Sequence, residues 1–243
     1  LVIGDGWFRL HIPHLESYCE TVYEAFEALR HGQSKSSGRI YKNLRKSLIK
    51  VENSVKYDIK VRLEIVFLPY KASMWDSLES VWMAADEDPD CDAYVVPIPY
   101  YDRNQDGNFV KCHYEGENFP DYVPITRYDE YCLAERRPDV IYIHNPYDDG
   151  NYVTSVDPRF YSWELKKYTD CLVYILYYST TGGMSEGQSL LSSYFYVDYI
   201  VAQCEKMIDL FDPAVPRDKF LPFGSPKFDR VIRMCKNPPD PPE

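Results

Sequence analysis

The sequence predicts an α/β protein: a Rossmann-like parallel sheet with helices on both faces, preceded by an N-terminal helical segment. Short runs that are apolar throughout, such as VRLEIVFL and CLVYIL, alternate with amphipathic stretches from residue 61 onward. Strands of this kind are typical of a sheet buried on both faces. Before residue 57 apolar residues recur at helical spacing instead. We therefore expect a helical segment at 1–57, the sheet domain at 58–236 and a linker at 237–243.

The helical segment contains two predicted helices. The second, residues 40–56, has its apolar stripe opposite a basic face. Residues 35–62 carry nine bases and two acids, so this region is +7 within an acidic chain. Such a helix either packs with its basic face in solvent or lies on an anionic membrane surface. The first helix places these residues on one face: Leu15, Tyr18, Cys19, Val22, Phe26 and Leu29. The second has the stripe Leu44, Leu48, Val51 and Val55 and the bases Lys42, Arg45, Lys46 and Lys50.

The sheet domain follows in strand–helix order. A helix from Lys71 to Ala85 follows the first strand, and the last helix begins at Pro226 with Ser225 as its N-cap. The other predicted strands are AYVVPIP, DVIYIH, CLVYIL, DYIVAQ and FLPFG, and the other predicted helices are ITRYDEYCLAERR, PRFYSWELKKY, EGQSLLSSYF and CEKMIDLF.

Composition excludes several classes of protein. The net charge is -11 and the pI about 5.0, which argue against nucleic-acid binding. No apolar run approaches the ~18 residues of a membrane-spanning helix. Seven cysteines without a CxxC pair favour reduced thiols in the cytoplasm. The first residues show no basic start or cleavage site typical of a signal peptide, and from the proline-rich end we expect a piece of a longer protein.

Tyrosine is the most unusual component, with 23 residues among 243. Its ring packs like an apolar side chain, while its hydroxyl needs a hydrogen-bond partner. The excess is therefore explained either by core packing or by a cleft that binds a sugar or another polyol.

Polar residues follow the strands of the predicted sheet. Ligands of open parallel sheets bind beyond the carboxyl ends of the strands. Four of the five strand exits are rich in tyrosine, histidine and small hydroxyl residues, which core packing does not require. The helix start after the first strand also suits an anion such as phosphate. The candidate substrate-binding residues are Tyr70, Lys71, Ser73, Tyr100, Tyr101, His113, Asn145, Tyr147, Tyr178, Ser179, Thr180, Gly182, Gly183, Ser225 and Lys227.

His144 is the catalytic candidate. It ends an apolar strand, where a histidine can act as a general base near neutral pH. The alternative is a histidine that only hydrogen-bonds a loop. No dinucleotide or P-loop fingerprint, HExxH, GxSxG or paired-aspartate metal motif occurs. We therefore expect neither a cofactor nor a metal site.

The last third of the sheet domain carries a recognisable order of motifs. After CLVYIL comes a polar loop with two glycines, then FYVDYIVAQCEKMIDLF and FLPFGSPKFDRVI. The second run contains a G-x-P-[RK]-x-D motif from Gly224 to Asp229. Together with IYIHNPYD, residues 139–232 resemble the N-terminal domain of the CDP-glycerol glycerophosphotransferases of bacterial teichoic acid synthesis.

The resemblance implies the N-terminal, acceptor-side half of a GT-B fold, in which two Rossmann-like domains face each other across a cleft. The implied reaction is attack by the hydroxyl of a polyol or glycan acceptor on a nucleotide-activated, CDP-glycerol-like donor. The family acts at the cytoplasmic face of the membrane, which implies a peripheral membrane role for residues 40–56.

The chain departs from the family in one loop. The family has a histidine after this strand, whereas residues 177–183 have none. Either His144 takes the role of base, or the chemistry has changed, or the domain binds a glycan or nucleotide without catalysis.

Overall fold

A computed structural model describes residues 5–31, 37–58, 62–179 and 182–236. The chain forms two compact units, residues 1–61 and 62–243, and each is described by itself. The predicted linker at 237–243 lies outside the described residues.

Unit 1 is a helical hairpin. Helix α1 spans Asp5–Arg30, and helix α2 spans Ser37–Asn53 and ends in a π-helical turn, Ser54–Asp58. His14 near the start of α1 and Ser54 at the end of α2 line the same shallow cavity of about 310 Å³, so the helices run antiparallel. The predicted N-terminal helical segment is confirmed.

Unit 2 is built on a six-stranded sheet in which every strand pair is parallel. The strand order is β2-β1-β5-β7-β8-β9. This architecture confirms the predicted α/β class with a parallel sheet. The strands of this sheet are β1 (Leu63–Leu68), β2 (Cys91–Val95), β5 (Val140–Ile143), β7 (Cys171–Ile175), β8 (Tyr199–Val201) and β9 (Phe220–Leu221).

Alternate residues of the strands enter two cores, one on each face of the sheet. In β1, Val66 and Leu68 enter the first core, and Phe67 enters the second with Trp75 and Trp82. Both faces carry helices, as predicted, because the strands are apolar on both sides. The helices of unit 2 are α3 (Glu79–Glu87), α4 (Leu133–Arg136), α5 (Ser162–Leu165), α6 (Glu186–Ser189), α7 (Ser193–Tyr196), α8 (Glu205–Ile208) and α9 (Pro226–Lys236).

A small antiparallel sheet stands where the sequence predicts a loop. It consists of β3 (Tyr100–Arg103), β4 (Phe109–His113) and β6 (Thr154–Val156), in the order β4-β3-β6. Gly107 turns the chain between β3 and β4 with φ +81°, a conformation that favours glycine. Asp106-Gly107 between two strand-forming runs is a hairpin signal that the interpretation as a loop overlooked.

Several predicted helices are shorter than expected. The stretch predicted as a helix from Lys71 begins as a 3-10 helix, Ala72–Ser77, and only then continues as α3. Of ITRYDEYCLAERR only α4 is helical. The residues before α4 form turns instead, and Tyr131 among them is buried in the first core.

A buried ion pair joins α4 to β1. Glu64 lies on β1 with its side chain buried, and Arg136 donates to both of its carboxylate oxygens at 2.7 and 2.9 Å. The Tyr131 hydroxyl donates to the same carboxylate. The Arg136 guanidinium also lies over the rings of Tyr94 and Tyr131, at 4.6 and 4.8 Å. The negative charge of the buried Glu64 carboxylate is therefore offset mainly by Arg136.

We expect Arg136→Met to lower the free energy of unfolding by about 3 kcal/mol, because it leaves a buried carboxylate without its cation. Adding Glu64→Gln should recover at least half of that loss, since the side chain left behind is then neutral. Chemical denaturation of the two variants checks this. Equal losses in the single and double variants would contradict it.

Candidate functional site

The carboxyl ends of β1 and β5 form the topological switch point of the sheet. From β1 the chain moves outward to β2 and then returns to the other side of β1 as β5. Parallel sheets leave a crevice at such a point, and ligands bind there. Tyr70 and Lys71 follow β1, and His144 and Asn145 follow β5, so the predicted residues of two strand exits meet at this place.

His144 holds the two strand exits together. The side chain is fully buried. Its Nε2 accepts a hydrogen bond from the backbone N–H of Tyr70 at 3.1 Å, and its Nδ1 lies 3.0 Å from Ser77 Oγ. The Ser77 hydroxyl donates to the Met74 carbonyl at 2.7 Å, so Nδ1 carries the ring proton and donates to Ser77. Both ring nitrogens are therefore engaged.

This environment keeps His144 neutral. Burial lowers the pKa of His144 to about 3, against the opposing effect of the Met74 backbone carbonyl, which accepts a hydrogen bond from the ring. The ring presents no free nitrogen to an acceptor hydroxyl. The geometry thus corrects the predicted role of general base near neutral pH and supports the alternative, a histidine that hydrogen-bonds a loop.

Lys71 lies beside His144 on a platform of tyrosine rings. Its Nζ is 5.4 Å from the centroid of Tyr70 and 5.0 Å from that of Tyr100. The two rings meet edge to face at 5.5 Å. Within the described ranges no carboxylate lies at ion-pair distance from Lys71. Burial raises the pKa of Tyr70 to about 12, so its hydroxyl stays protonated and serves as a donor.

Glu115 occupies the helix start that the sequence predicts as an anion site. One carboxylate oxygen accepts the Ala72 N–H at 2.9 Å, and the other accepts the Tyr100 hydroxyl at 2.6 Å. An anionic ligand would have to displace this carboxylate, so the prediction for the helix start is wrong. Ser73, in the same short helix, is exposed.

His113 and Asp102 form a pair next to the platform. His113 lies opposite Tyr100 across the β3–β4 hairpin, and the two rings stack at 4.9 Å and 15°. Its Nε2 lies 2.7 Å from Asp102 Oδ2. A carboxylate accepts only, so Nε2 carries the proton of the neutral ring and Nδ1 is the basic nitrogen. Nδ1 accepts no hydrogen bond from the part of the chain that the structure describes.

Several tyrosines also lie close together in the segments that follow β5 and β7. The hydroxyls of Tyr147 and Tyr177 are 3.1 Å apart, and Tyr177 packs against Tyr178. Burial raises the pKa of Tyr178 to about 12. The fully buried Tyr174 hydroxyl has no hydrogen-bond partner among the described residues. Ser179, Gly182 and Gly183, of the same predicted loop, are exposed, and Thr180 lies outside the described residues.

Four further candidates have other surroundings. Tyr101 points away from Tyr100, as neighbours on a strand do, stacks on Phe109 and donates to Asp157. Lys227 pairs with Asp76 at 2.9 Å and joins α9 to the 3-10 helix. Asn145 accepts from the Tyr147 N–H in a local turn. Ser225 precedes α9 but its hydroxyl caps no N–H among the described residues, contrary to its predicted role.

Asp148 fixes the loop that follows His144. It is buried, and its carboxylate accepts the N–H of Ser162 at 2.7 Å and the hydroxyl of Ser162 at 2.6 Å. Burial raises the pKa of Asp148 to about 6, against the opposing effect of the Ser162 hydrogen bonds. The residue has φ +47°, which aspartate tolerates better than most side chains.

Asp102 and Tyr177 lie in the strand exits that the sequence singles out but are not among the candidate binding residues, and Glu115 was missed altogether. Asp102 and His113 face each other only because the chain folds back at Gly107, so finding the hairpin signal would have found the pair. Nothing in the sequence around Glu115 indicates that its carboxylate reaches back to Ala72.

The described residues contain no group of three or more His, Cys, Asp or Glu side chains placed to hold a metal ion. No helix among them has the length and hydropathy that crossing a membrane requires. The seven cysteines are free thiols.

Comparison with known proteins finds similarity among solved structures alone. No protein-family profile matches the chain. No curated protein matches it. Among solved structures, the chain is similar to a UDP-N-acetylglucosamine 2-epimerase, with a TM-score of 0.47 and 11% identity over 74% of this chain. The chain spans about half of the length of that structure, 53%. The resemblance to the CDP-glycerol glycerophosphotransferases stays a prediction.

Proposed function

We propose that unit 2 is the acceptor-side domain of an enzyme that transfers a nucleotide-activated polyol phosphate or sugar to a hydroxyl group. The observation that carries the proposal is the His113–Asp102 pair, stacked on Tyr100 beside Lys71 at the switch point. A histidine oriented by a carboxylate can activate a hydroxyl group, and a lysine that contacts the same tyrosine ring can stabilise phosphate charge.

Each group has a role in the proposed step. The acceptor O–H gives its proton to His113 Nδ1 while its oxygen bonds to the phosphorus or anomeric carbon of the donor. The bond to the leaving nucleotide phosphate breaks, and that phosphate departs with the electron pair. Lys71 offsets its charge. Tyr100 and Glu115 position the acceptor through their hydroxyl and carboxylate.

The finer assignment follows the sequence. CDP-glycerol is the proposed donor, a polyol or glycan of the cell surface is the proposed acceptor, and the inner face of the membrane is the proposed place of action. The second candidate is binding of a glycan or nucleotide without turnover. It is favoured by the absence of histidine from residues 177–183 and by the engagement of both nitrogens of His144.

Binding provides the test of this proposal. Isothermal titration of the 243-residue chain with CDP-glycerol, a UDP-sugar and glycerol 3-phosphate should give saturable binding of at least one of them. Lys71→Met should weaken that binding about tenfold or more, because a charge-assisted contact to phosphate is lost.

Lys167→Met is the matched control. Lys167 forms a surface pair with Glu164 before β7, at the opposite edge of the sheet, and should leave binding unchanged. Equal affinity in the Lys71 variant and the control would remove Lys71 from the site. No binding of any of the three ligands would remove the proposed substrate class.

A further inference from the structure

Helix α1 presents an apolar seam to solvent. Leu15, Cys19, Val22, Phe26 and Leu29 are spaced alternately by four and three residues, the seam of a helix that packs along another helix. All five are exposed, and the exposed fraction reaches 82% at Leu29. The seam therefore has no partner within the described residues of unit 1, although burying such side chains would be favourable.

The seam differs from the one that α1 uses inside the hairpin. The half-buried residues of α1 are offset from the exposed seam by one residue, and they follow the same four–three spacing. A helix with two adjacent seams is typical of a bundle in which it contacts two neighbours. The hairpin supplies one neighbour, α2. The inner seam consists of His14, Tyr18, Thr21, Ala25 and Ala28.

Helix α2 repeats the arrangement. The residues of its inner seam are half-buried or buried. One position after every other residue of that seam lies an exposed apolar residue, and these form an outer row with a spacing of seven residues. Because the two helices are antiparallel, an offset of one residue in the same direction turns both outer rows to the same side of the hairpin. The hairpin thus has an apolar face, which on α2 is interrupted by the exposed Arg45 and Glu52 between the residues of the outer row. The inner seam of α2 is Ile40, Leu44, Ser47, Val51 and Ser54, and its outer row is Tyr41, Leu48 and Val55.

The residues beside the two outer rows have opposite charges. One position beyond the outer seam, α1 carries Glu16, Glu20, Tyr23, Glu27 and Arg30, and α2 carries Lys42, Lys46, Ile49, Asn53 and Lys56 in the equivalent places, so that acids predominate on α1 and bases on α2. If two such faces met with α1 on α1, carboxylates would oppose carboxylates. If they met with α1 on α2, each row of acids would oppose a row of bases, which favours that arrangement.

We propose that the hairpin docks onto a second copy of this chain and forms an antiparallel four-helix bundle. The two-fold axis runs parallel to the helices, so that α1 of each copy packs on α2 of its partner. This symmetry uses the same face twice and repeats the acid–base contact twice. The occupant of the apolar face is thus the identical face of another protomer.

An anionic membrane is the competing occupant, since α2 is basic. It suits the hairpin less, because α1 carries its acids directly beside the apolar seam and would place them against the anionic headgroups. The membrane therefore enters as an outcome of the test.

Charge reversal with mixing tests the proposal. The variants Lys42→Glu/Lys46→Glu and Glu20→Lys/Glu27→Lys each bring like charges together and should raise the dissociation constant of the dimer at least about 30-fold. Mixing the two variants should restore a dimer, because each acidic row then meets a basic row. Sedimentation velocity across a dilution series measures this, with circular dichroism to verify that the helices are retained.

Two single variants are matched controls. Glu24→Lys and Lys50→Glu change the same charges on positions facing away from the outer rows, and both should dimerise like the original chain. Leu48→Asn, in the outer row of α2, should weaken the dimer without any change of charge. This variant tests the interface if a reversal variant loses helicity.

Three results would overturn the proposal. The first is that the 243-residue chain stays monomeric. The second is that the dissociation constant of the dimer changes neither in the two reversal variants nor in Leu48→Asn. The third is that the two reversal variants are monomeric and do not associate when mixed. If the chain is instead a monomer that sediments with vesicles of phosphatidylserine and phosphatidylcholine and dissociates from them at high salt, the apolar face binds the membrane.

Discussion

His144→Ala is expected to lower the free energy of unfolding by about 3 kcal/mol at pH 7.5. The change leaves the buried Tyr70 N–H without an acceptor and opens a cavity between the exits of β1 and β5. His144→Gln can still offer an oxygen to that N–H and should recover part of the loss. Denaturant unfolding of the three proteins measures the difference. A loss below about 1 kcal/mol in the alanine variant would contradict a bridging role.

The same residue should make stability sensitive to acid. Its pKa of about 3 lies below the ordinary value of 6.5, so between these values the unfolded chain binds a proton that the folded chain excludes. Stability therefore falls as the pH decreases below 6.5, by about 2 kcal/mol at pH 5.

Asp148 makes the stability depend on pH in the opposite direction. Its raised pKa makes the folded chain bind a proton that the unfolded chain releases, so its contribution falls as the pH rises toward 6. Subtracting the pH profile of His144→Gln from that of the original chain cancels this contribution and leaves that of His144. Parallel profiles would show that His144 does not titrate on unfolding.

His113→Ala is expected to lower turnover about 100-fold or more, provided that the chain, with whatever further domain it needs, transfers to a hydroxyl acceptor. A positioned general base contributes roughly that factor. The histidine is partly exposed and pairs with an exposed aspartate, so its removal should cost less than about 1 kcal/mol of stability. The measurement is release of the nucleoside phosphate from CDP-glycerol or a UDP-sugar with glycerol as acceptor.

The two histidine variants serve as controls for each other. His144→Ala should affect stability more than His113→Ala, and His113→Ala should affect turnover at a temperature where both are folded. Asp102→Asn should also lower turnover, because Asp102 fixes which nitrogen of His113 holds the proton. Full turnover in His113→Ala would remove His113 from the chemistry.

The sequence predicted the parallel sheet because its strands are short and apolar throughout, and strand–helix alternation leaves few other arrangements. It also singled out the strand exits as the places where a ligand would bind, since ligands of open parallel sheets lie beyond the carboxyl ends of the strands. That step needed only the order of the elements.

The side-chain roles were harder to predict. Whether His144 is a base or a bridge depends on Ser77, 67 residues away, and on burial that no local pattern encodes. The His113–Asp102 pair depends on one turn at Gly107. The helix start cannot take an anion directly because the carboxylate of Glu115 occupies it, and Glu115 lies 43 residues from Ala72 in the sequence. Long-range contacts of this kind are set by tertiary packing.

The central claim is that the carboxyl edge between β1 and β5 is the ligand site. Nuclear magnetic resonance of the 15N-labelled chain, titrated with CDP-glycerol, a UDP-sugar and glycerol 3-phosphate, tests it most directly. We expect the largest saturable shifts at the amides of Lys71, Tyr100 and His113 and at the His113 ring nitrogens. Saturable shifts confined to other parts of the chain, or no shifts with any of the three ligands, would contradict the claim.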